Sequence, residues 1–179
     1  MIEEFTFRRL DLKTAIKPFD CGETDLNDFF LKDALNYLRQ LLAITYFFEN
    51  QDRTIAFFSV LNDRISESDS DKRVFRKIKK QMPHKKHYKS YPAVKVGRFG
   101  VDQQFHKQGI GTEVLTFIKQ FFTNSNKTGC RYITVDAYKK ASGFYKKSDF
   151  DFLTSTDKTA DTRAMYFDLM NFVRDKKTS

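Results

Sequence analysis

The chain has 179 residues, 40% of them hydrophobic, which suits a globular domain with a sizeable core. Its net charge of +9 at pH 7 favours anionic partners: nucleic acid, an anionic cofactor or an acidic protein; the alternative is a charge that serves solubility alone. No apolar run is long enough to span a membrane, and the opening MIEEFTFRRL lacks the apolar segment of a signal peptide. Cys21 and Cys130 form no metal-ligand spacing and fit a reducing compartment, so a cytoplasmic location is expected.

Taken in order, Phe5–Leu10 is rich in β-formers and reads as a first strand, followed by a connector over Asp11–Pro18 and a loop at Phe19-Asp20-Cys21-Gly22. Thr24 or Asp25 caps a helix whose apolar face is Leu26, Phe29, Phe30, Ala34, Tyr37, Leu38 and Leu41. Ala43–Glu49 and Thr54–Leu61 are apolar strands around an Asn50-Gln51-Asp52 turn, which predicts a hairpin in a sheet covered on both faces. The 20 phenylalanines predict an aromatic core. Residues 62–91 are polar. Within them Arg73–Lys80 predicts a strongly basic helix; Arg76, Lys77, Lys79 and Lys80 are candidate phosphate contacts or, alternatively, a solvated face. His84, Lys85, Lys86, His87 and Lys89 extend the basic run, and with no Cys or acidic residue clustered around the histidines no metal site is expected.

Val94–Val101 reads as a strand and Asp102–Gln108 as a turn. A helix then opens at Gly109-Ile110-Gly111 and carries Ile110, Val114, Phe117, Ile118 and Phe121 at helical spacing. Tyr132–Ala137 is a strand parallel to Val94–Val101, because a helix connects the two. Tyr138–Ser148 is a short helix, Phe150–Leu153 and Ala164–Leu169 are closing strands, and residues 171–179 are a flexible tail. No repeat or boundary interrupts the chain, so residues 1–179 are read as a single domain.

The strand–glycine loop–helix unit is a candidate phosphate cradle: a helix start leaves N–H groups unpaired with a partial positive charge, and glycines let an anion approach. A P-loop needs Lys and then Ser or Thr after its second glycine, and Gly111 is followed by Thr112 and Glu113. A dinucleotide fingerprint needs a third glycine where Val114 stands. What remains, His106-Lys107-Gln108-Gly109-Ile110-Gly111, resembles the acetyl-CoA loop of the GNAT N-acetyltransferases, Gln/Arg-x-x-Gly-x-Gly/Ala, with His106 departing from the usual first residue. Ala141-Ser142-Gly143-Phe144-Tyr145-Lys146-Lys147-Ser148-Asp149-Phe150 resembles that family's second signature, with Asp149 in place of a glycine. Phe19-Asp20-Cys21-Gly22, the following Leu26, Phe29, Phe30 and Ala34, and Val96-Gly97-Arg98-Phe99-Gly100-Val101-Asp102 are similar to the branch containing toxins that acetylate aminoacyl-tRNA.

That resemblance implies an α/β GNAT fold: a mixed central sheet with helices on both faces and a splayed parallel strand pair holding acyl-CoA. It implies acetyl-CoA as co-substrate, with Phe99, Gly100 and Val101 along the pantetheine arm and His106, Lys107, Gln108, Gly109, Ile110, Gly111 and Thr112 around the pyrophosphate. Gly100 would spare the cofactor a side-chain clash. Tyr145 is the implied catalytic acid for the leaving thiolate, the alternative being that it only packs. The strand VKVGRFGV holds no carboxylate for a general base, and Asp102 after it is expected to turn into the loop. An α-amine, with a pKa of about 8, needs less help than a lysine near 10.4, which leans towards aminoacyl-tRNA as acceptor. A small-molecule amine is the next reading, and a non-catalytic acyl-CoA-binding or nucleic-acid-binding module the third. The implied partners are acetyl-CoA, the amine substrate (tRNA first) and an antitoxin protein, with no membrane; the chain is read as a monomer or homodimer.

Overall fold

The computed structural model describes residues 2–83, 88–124 and 128–178. Its seven strands are β1 (Thr6–Arg9), β2 (Ile44–Glu49), β3 (Thr54–Ser66), β4 (Ser90–Val101), β5 (Tyr132–Tyr138), β6 (Asp151–Phe152) and β7 (Thr162–Asp168). They follow the order β1-β2-β3-β4-β5-β7-β6, a mixed sheet with β4 and β5 as its parallel pair. The helices are α1 (Thr24–Asp28), α2 (Ala34–Arg39), α3 (Lys72–Lys80), α4 (Ile110–Thr123), α5 (Ser142–Lys147) and α6 (Leu169–Thr178). The chain divides into two compact units, Met1–Leu61 with Val96–Ile118 and Asn62–Lys95 with Lys119–Ser179. Each draws on two separate stretches, so no single cut in the sequence divides them.

In the first unit β1 and β2 pair antiparallel, Thr6 opposite Glu49, and β2 pairs antiparallel with β3, Ile44 opposite Val60. The expected hairpin turn is there: the Asn50 side-chain oxygen accepts the N–H groups of Asp52 and Arg53, both at 2.9 Å, so Asn50 substitutes for a backbone acceptor. The core of this unit is aromatic, as the composition predicts. Phe19, Phe29, Phe30, Phe47 and Phe57 cluster with Leu10, Cys21 and Ala34, and Phe30 stacks on Phe57 with ring centres 4.5 Å apart.

The helix expected over 24–41 is interrupted. A π-helical turn, Phe29–Asp33, separates α1 from α2. The extra residue in such a turn shifts the face that follows. It ends the expected apolar stripe early: Tyr37 is 38% exposed and Leu41, past the end of α2 and at φ 57°, is 92% exposed.

In the second unit β5 and β7 pair antiparallel along their whole lengths, Tyr132 opposite Asp168, and β6 pairs with β7. Its core gathers Ile65, Phe75, Ile78, Tyr91, Ala93, Tyr132, Leu153 and Tyr166. Both long strands outrun expectation. β3 continues through polar Asn62, Asp63 and Arg64 to Ser66, and β4 starts at Ser90, ahead of Pro92. Proline is tolerated where a strand's N–H needs no partner, and Pro92 sits exposed. The segment read as a tail is helical, since α6 runs to Thr178.

Gly100 lies against the aromatic core. A Cβ there would meet Phe57 Cε1 at 2.9 Å, Phe19 Cζ at 3.2 Å and Cys21 Sγ at 3.5 Å. The missing side chain makes room for the aromatic core of the first unit. Gly100→Ala is therefore expected to destabilise the fold by about 1–3 kcal/mol, read as a lower urea midpoint.

Candidate active site

The segment after β4 is built around one buried carboxylate. Asp102 is 1% exposed. One of its oxygens accepts from the Arg53 guanidinium at 2.9 Å and from the Gln104 N–H at 3.0 Å. The other accepts the Asp20 N–H at 3.1 Å. The Gln103 N–H closes the link by donating to the Asp20 carbonyl at 2.8 Å. Asp102 is thus turned inward and buried. With both oxygens engaged by a cation and two amides, it is a brace and not a general base.

The Phe19-Asp20-Cys21-Gly22 loop gains a physical reason from this brace. The Asp20 carboxylate accepts the Gly22 N–H at 2.9 Å and the Asn27 amide at 2.7 Å. These bonds, the Gly22 one foremost, hold its carboxyl below the usual range. The Asn27 side-chain oxygen in turn accepts the Cys21 N–H at 2.9 Å.

From that brace the chain makes a single 3-10 turn, Gln103–Phe105, and enters the glycine loop. His106 bonds through Nε2 to the Val101 carbonyl at 2.8 Å, and the Gln108 amide donates to the Gln104 carbonyl at 2.8 Å. The imidazole therefore shapes the loop, which is the sense in which its departure from Gln or Arg matters. Lys107 lies at φ 61° and Gly109 at φ 84°. A Cβ on Gly109 would touch nothing within 4 Å, so the backbone angle, not space, asks for glycine.

The N–H groups of Thr112 and Glu113 both turn back on the Gly109 carbonyl, at 3.0 and 3.1 Å. Among the described residues, the N–H groups of Lys107, Gln108, Gly109, Ile110 and Gly111 have no acceptor. Successive free amides around left-handed residues form an anion-binding concavity, reinforced here by the positive end of a 14-residue helix. Ile110, fully buried, anchors the start of that helix in the core.

Tyr145 belongs to the second unit. It lies on α5, 6% exposed, with its ring 5.2 Å from Phe144 and 5.5 Å from Phe150. Burial alone pushes its phenol far above the ordinary value, with no charge or hydrogen bond contributing. The helix ends in a left-handed cap: Asp149 lies at φ 65°, and the Phe150 N–H reaches back to the Tyr145 carbonyl at 3.0 Å. Asp149 adopts the conformation for which the family pattern has glycine.

A residue that sequence reasoning missed supports this cap. Lys119 on α4 is only 5% exposed; its ammonium donates to the Ser148 carbonyl at 2.7 Å, lies 3.9 Å from an Asp149 oxygen and sits 4.0 Å from the centre of the Phe167 ring. In the sequence it is an ordinary helix lysine; only its neighbours, the buried Val114, Leu115, Ile118 and Phe122, hint at burial.

On α3, Phe75 and Ile78 face the core while Arg76, Lys77 and Lys80 are exposed. Lys79 is engaged by Glu67 at 3.1 Å and by the Phe75 ring at 5.0 Å. Lys77 has Asp151 at 3.9 Å. The basic helix is therefore partly neutralised, and Lys72, Arg73, Arg76 and Lys80 are its cations without a partner among the described residues. His84, Lys85, Lys86 and His87 lie outside the described residues. Among the described residues no group of His, Cys, Asp and Glu could hold a metal ion, and no helix is long and apolar enough to cross a membrane.

These features belong to a nucleotide-cofactor acyltransferase fold. Residues 73–166, just over half of the chain, match the acetyltransferase (GNAT) domain family, and the chain belongs to that family. Solved structures of similar fold include a mutant of the toxin AtaT bound to the C-terminus of the antitoxin AtaR (TM-score 0.75, 19% identity, 98% of each chain covered). Another is AtaT complexed with acetyl-methionyl-tRNAfMet (TM-score 0.75, 21% identity, 94% of this chain and 97% of that one). A third is a mutant of KacT (TM-score 0.76, 18% identity, 95% and 98% covered). At these identities the likeness is one of fold. A comparison with curated proteins finds no match.

Replacing Asp102 by Ala leaves Arg53 without its carboxylate and two amides without acceptors. A loss of about 3 kcal/mol is expected, the low end for a broken buried pair because Arg53 reaches solvent. Chemical denaturation measures it, and Asp102→Asn should recover part of the loss, since its side-chain oxygen still accepts from the amides.

Proposed function

We propose that this acetyltransferase moves the acetyl group of acetyl-CoA to the α-amine of an aminoacyl-tRNA, in the manner of a toxin held by an antitoxin. The observation that carries the cofactor half is the run of five acceptor-free amides from Lys107 to Gly111. A diphosphate is the anion that such a cradle suits, and the fold is shared with AtaTR bound with acetyl-CoA (TM-score 0.73, 21% identity). The acceptor half is supported by the likeness to AtaT complexed with acetyl-methionyl-tRNAfMet. The carboxylate that directly follows β4, Asp102, is engaged, which points the same way, to an amine that is partly neutral without help.

In this reading the amides of residues 107–111 hold the pyrophosphate, and the Thr112 hydroxyl at the first turn of α4 lies within the same stretch. Phe99, Gly100 and Val101 offer main-chain groups to the pantetheine arm, and the Val101 N–H polarises the thioester carbonyl. The amine attacks that carbonyl, the C–S bond breaks, the departing thiolate takes the proton of the Tyr145 hydroxyl, and the proton that the new amide nitrogen sheds returns to the phenolate through solvent. Burial suits the phenol to this role by keeping it protonated. Arg76 and Lys80, with Lys77 and Lys79 beside them, attract the tRNA backbone. The decisive experiment is incubation with acetyl-CoA and charged tRNA, followed by mass spectrometry of the aminoacyl ends. Acetylation of protein lysines or free amines alone would overturn the acceptor assignment.

Tyr145→Phe is expected to lower kcat by about 10²–10⁴-fold while leaving the acetyl-CoA dissociation constant unchanged. Because its folded-state pKa is raised, the phenol stays protonated through its ordinary value of 10.0. Turnover should therefore rise with pH as the amine loses its proton and show no decline below about pH 10 from the phenol. Arg76→Gln with Lys80→Gln should weaken tRNA binding and reduce its salt dependence by about two counter-ions, in a filter-binding titration against salt.

A further inference from the structure

Arg98 is a half-buried cation with no counter-ion among the described residues. It lies on β4, on the same strand face as Val96 and Gly100, since side chains alternate along a strand. Its guanidinium sits over the ring of Phe29, 5.3 Å from the centre. One terminal nitrogen donates to the carbonyl of its own neighbour, Gly97, at 2.9 Å. Its Nε is buried and has no hydrogen-bond partner. Among the described residues no carboxylate lies within 4.0 Å of it, in contrast to Arg53 and Arg131, which are paired with Asp102 and Asp168 at 2.9 and 2.8 Å.

A guanidinium keeps its charge, and a buried donor left unpaired is destabilising. A side chain kept at that cost asks for a ligand. Its stacking partner sharpens the point. Phe29 opens the π-helical turn, an insertion seen frequently at functional sites, and the turn seats its ring under the guanidinium. Stacking fixes the plane of the fork, and the edge of a guanidinium matches a planar or tetrahedral oxyanion.

We propose that Arg98 is a specificity-determining residue that binds a phosphodiester oxyanion at the 3′ end of the acceptor. The proposal rests on the aminoacyl-tRNA reading. In that acceptor the amine and ester carry no negative charge, so phosphate is the group able to complete an unpaired guanidinium. The role is distinct from that of the loop amides: those serve the cofactor, and Arg98 serves the acceptor.

The test has a binding arm and a kinetic arm, both on the full chain. In the first, the trinucleotide CCA is titrated into 15N-labelled protein and the arginine Nε–H resonances are followed. The Arg98 signal is expected to shift saturably, and Arg98→Met is expected to weaken CCA affinity about tenfold or more. An unshifted Arg98 signal, or equal affinity in Arg98→Met, overturns the proposal.

In the second arm, Arg98→Met should raise KM for aminoacyl-tRNA about tenfold or more and leave the acetyl-CoA dissociation constant within about twofold. Arg98→Lys should recover part of the loss, since it restores charge without the fork. A parallel loss of acetyl-CoA binding and thermal stability marks Arg98 as merely structural and also overturns it. Should the wild type bind CCA through Arg98 yet acetylate no aminoacyl-tRNA, the substrate reading fails and the oxyanion site stands.

Discussion

A carboxylate taken out of water must find partners, and the first unit is organised by how Asp102 finds them. Its two oxygens are shared among one guanidinium and two main-chain amides, belonging to Arg53, Gln104 and Asp20. These residues come from the hairpin, from the turn after β4 and from the loop before α1. Satisfying one buried charge therefore sets where three segments lie. The glycine loop begins only four residues beyond Asp102 and inherits that rigidity. A cradle of free amides recognises an anion only while its N–H vectors converge, and the His106 and Gln108 bonds to Val101 and Gln104 keep them so.

The aromatic core meets the same strand from the other side of the argument. Phe19 and Phe57 come so close to Gly100 that a methyl group there would press into both rings. Packing density and site geometry are thus one constraint: β4 is free of a side chain at this point because the rings behind it need the room. The π-helical turn belongs to the same compromise. It carries Phe29 and Phe30 into that core, both buried, at the expense of the regular stripe that would have continued to Leu41.

In the second unit the departure of Asp149 from glycine is accommodated by chemistry from elsewhere in the chain. A non-glycine residue in the left-handed region is strained, and a helix end leaves carbonyls unpaired. Lys119 answers the second demand by capping the Ser148 carbonyl and places positive charge beside the Asp149 carboxylate. Its ammonium lies over the Phe167 ring, so the charge is buried without being isolated. The result is a fixed end to the short helix bearing Tyr145, whose aromatic surroundings keep its phenol protonated.

Much of this was legible in the residues themselves. Strand, glycine loop and helix around Gly109 follow from periodicity and from the backbone freedom of glycine, and the Asn50 turn follows from a side chain that imitates a carbonyl. Such features depend on neighbours within a few positions, and the sequence alone determined them. Pro92 and the polar run at Asn62–Arg64 hid the true lengths of β4 and β3, since propensity cannot tell an exposed strand position from a break. The tertiary structure alone decided that Asp102 is a brace, that Lys119 is buried, that Gly100 lies against the core and that Arg98 has no counter-ion among the described residues. Burial and pairing are properties of what meets across the fold: Asp20 and Asp102 stand 82 positions apart, and no local rule brings an amide to a carboxylate over that distance.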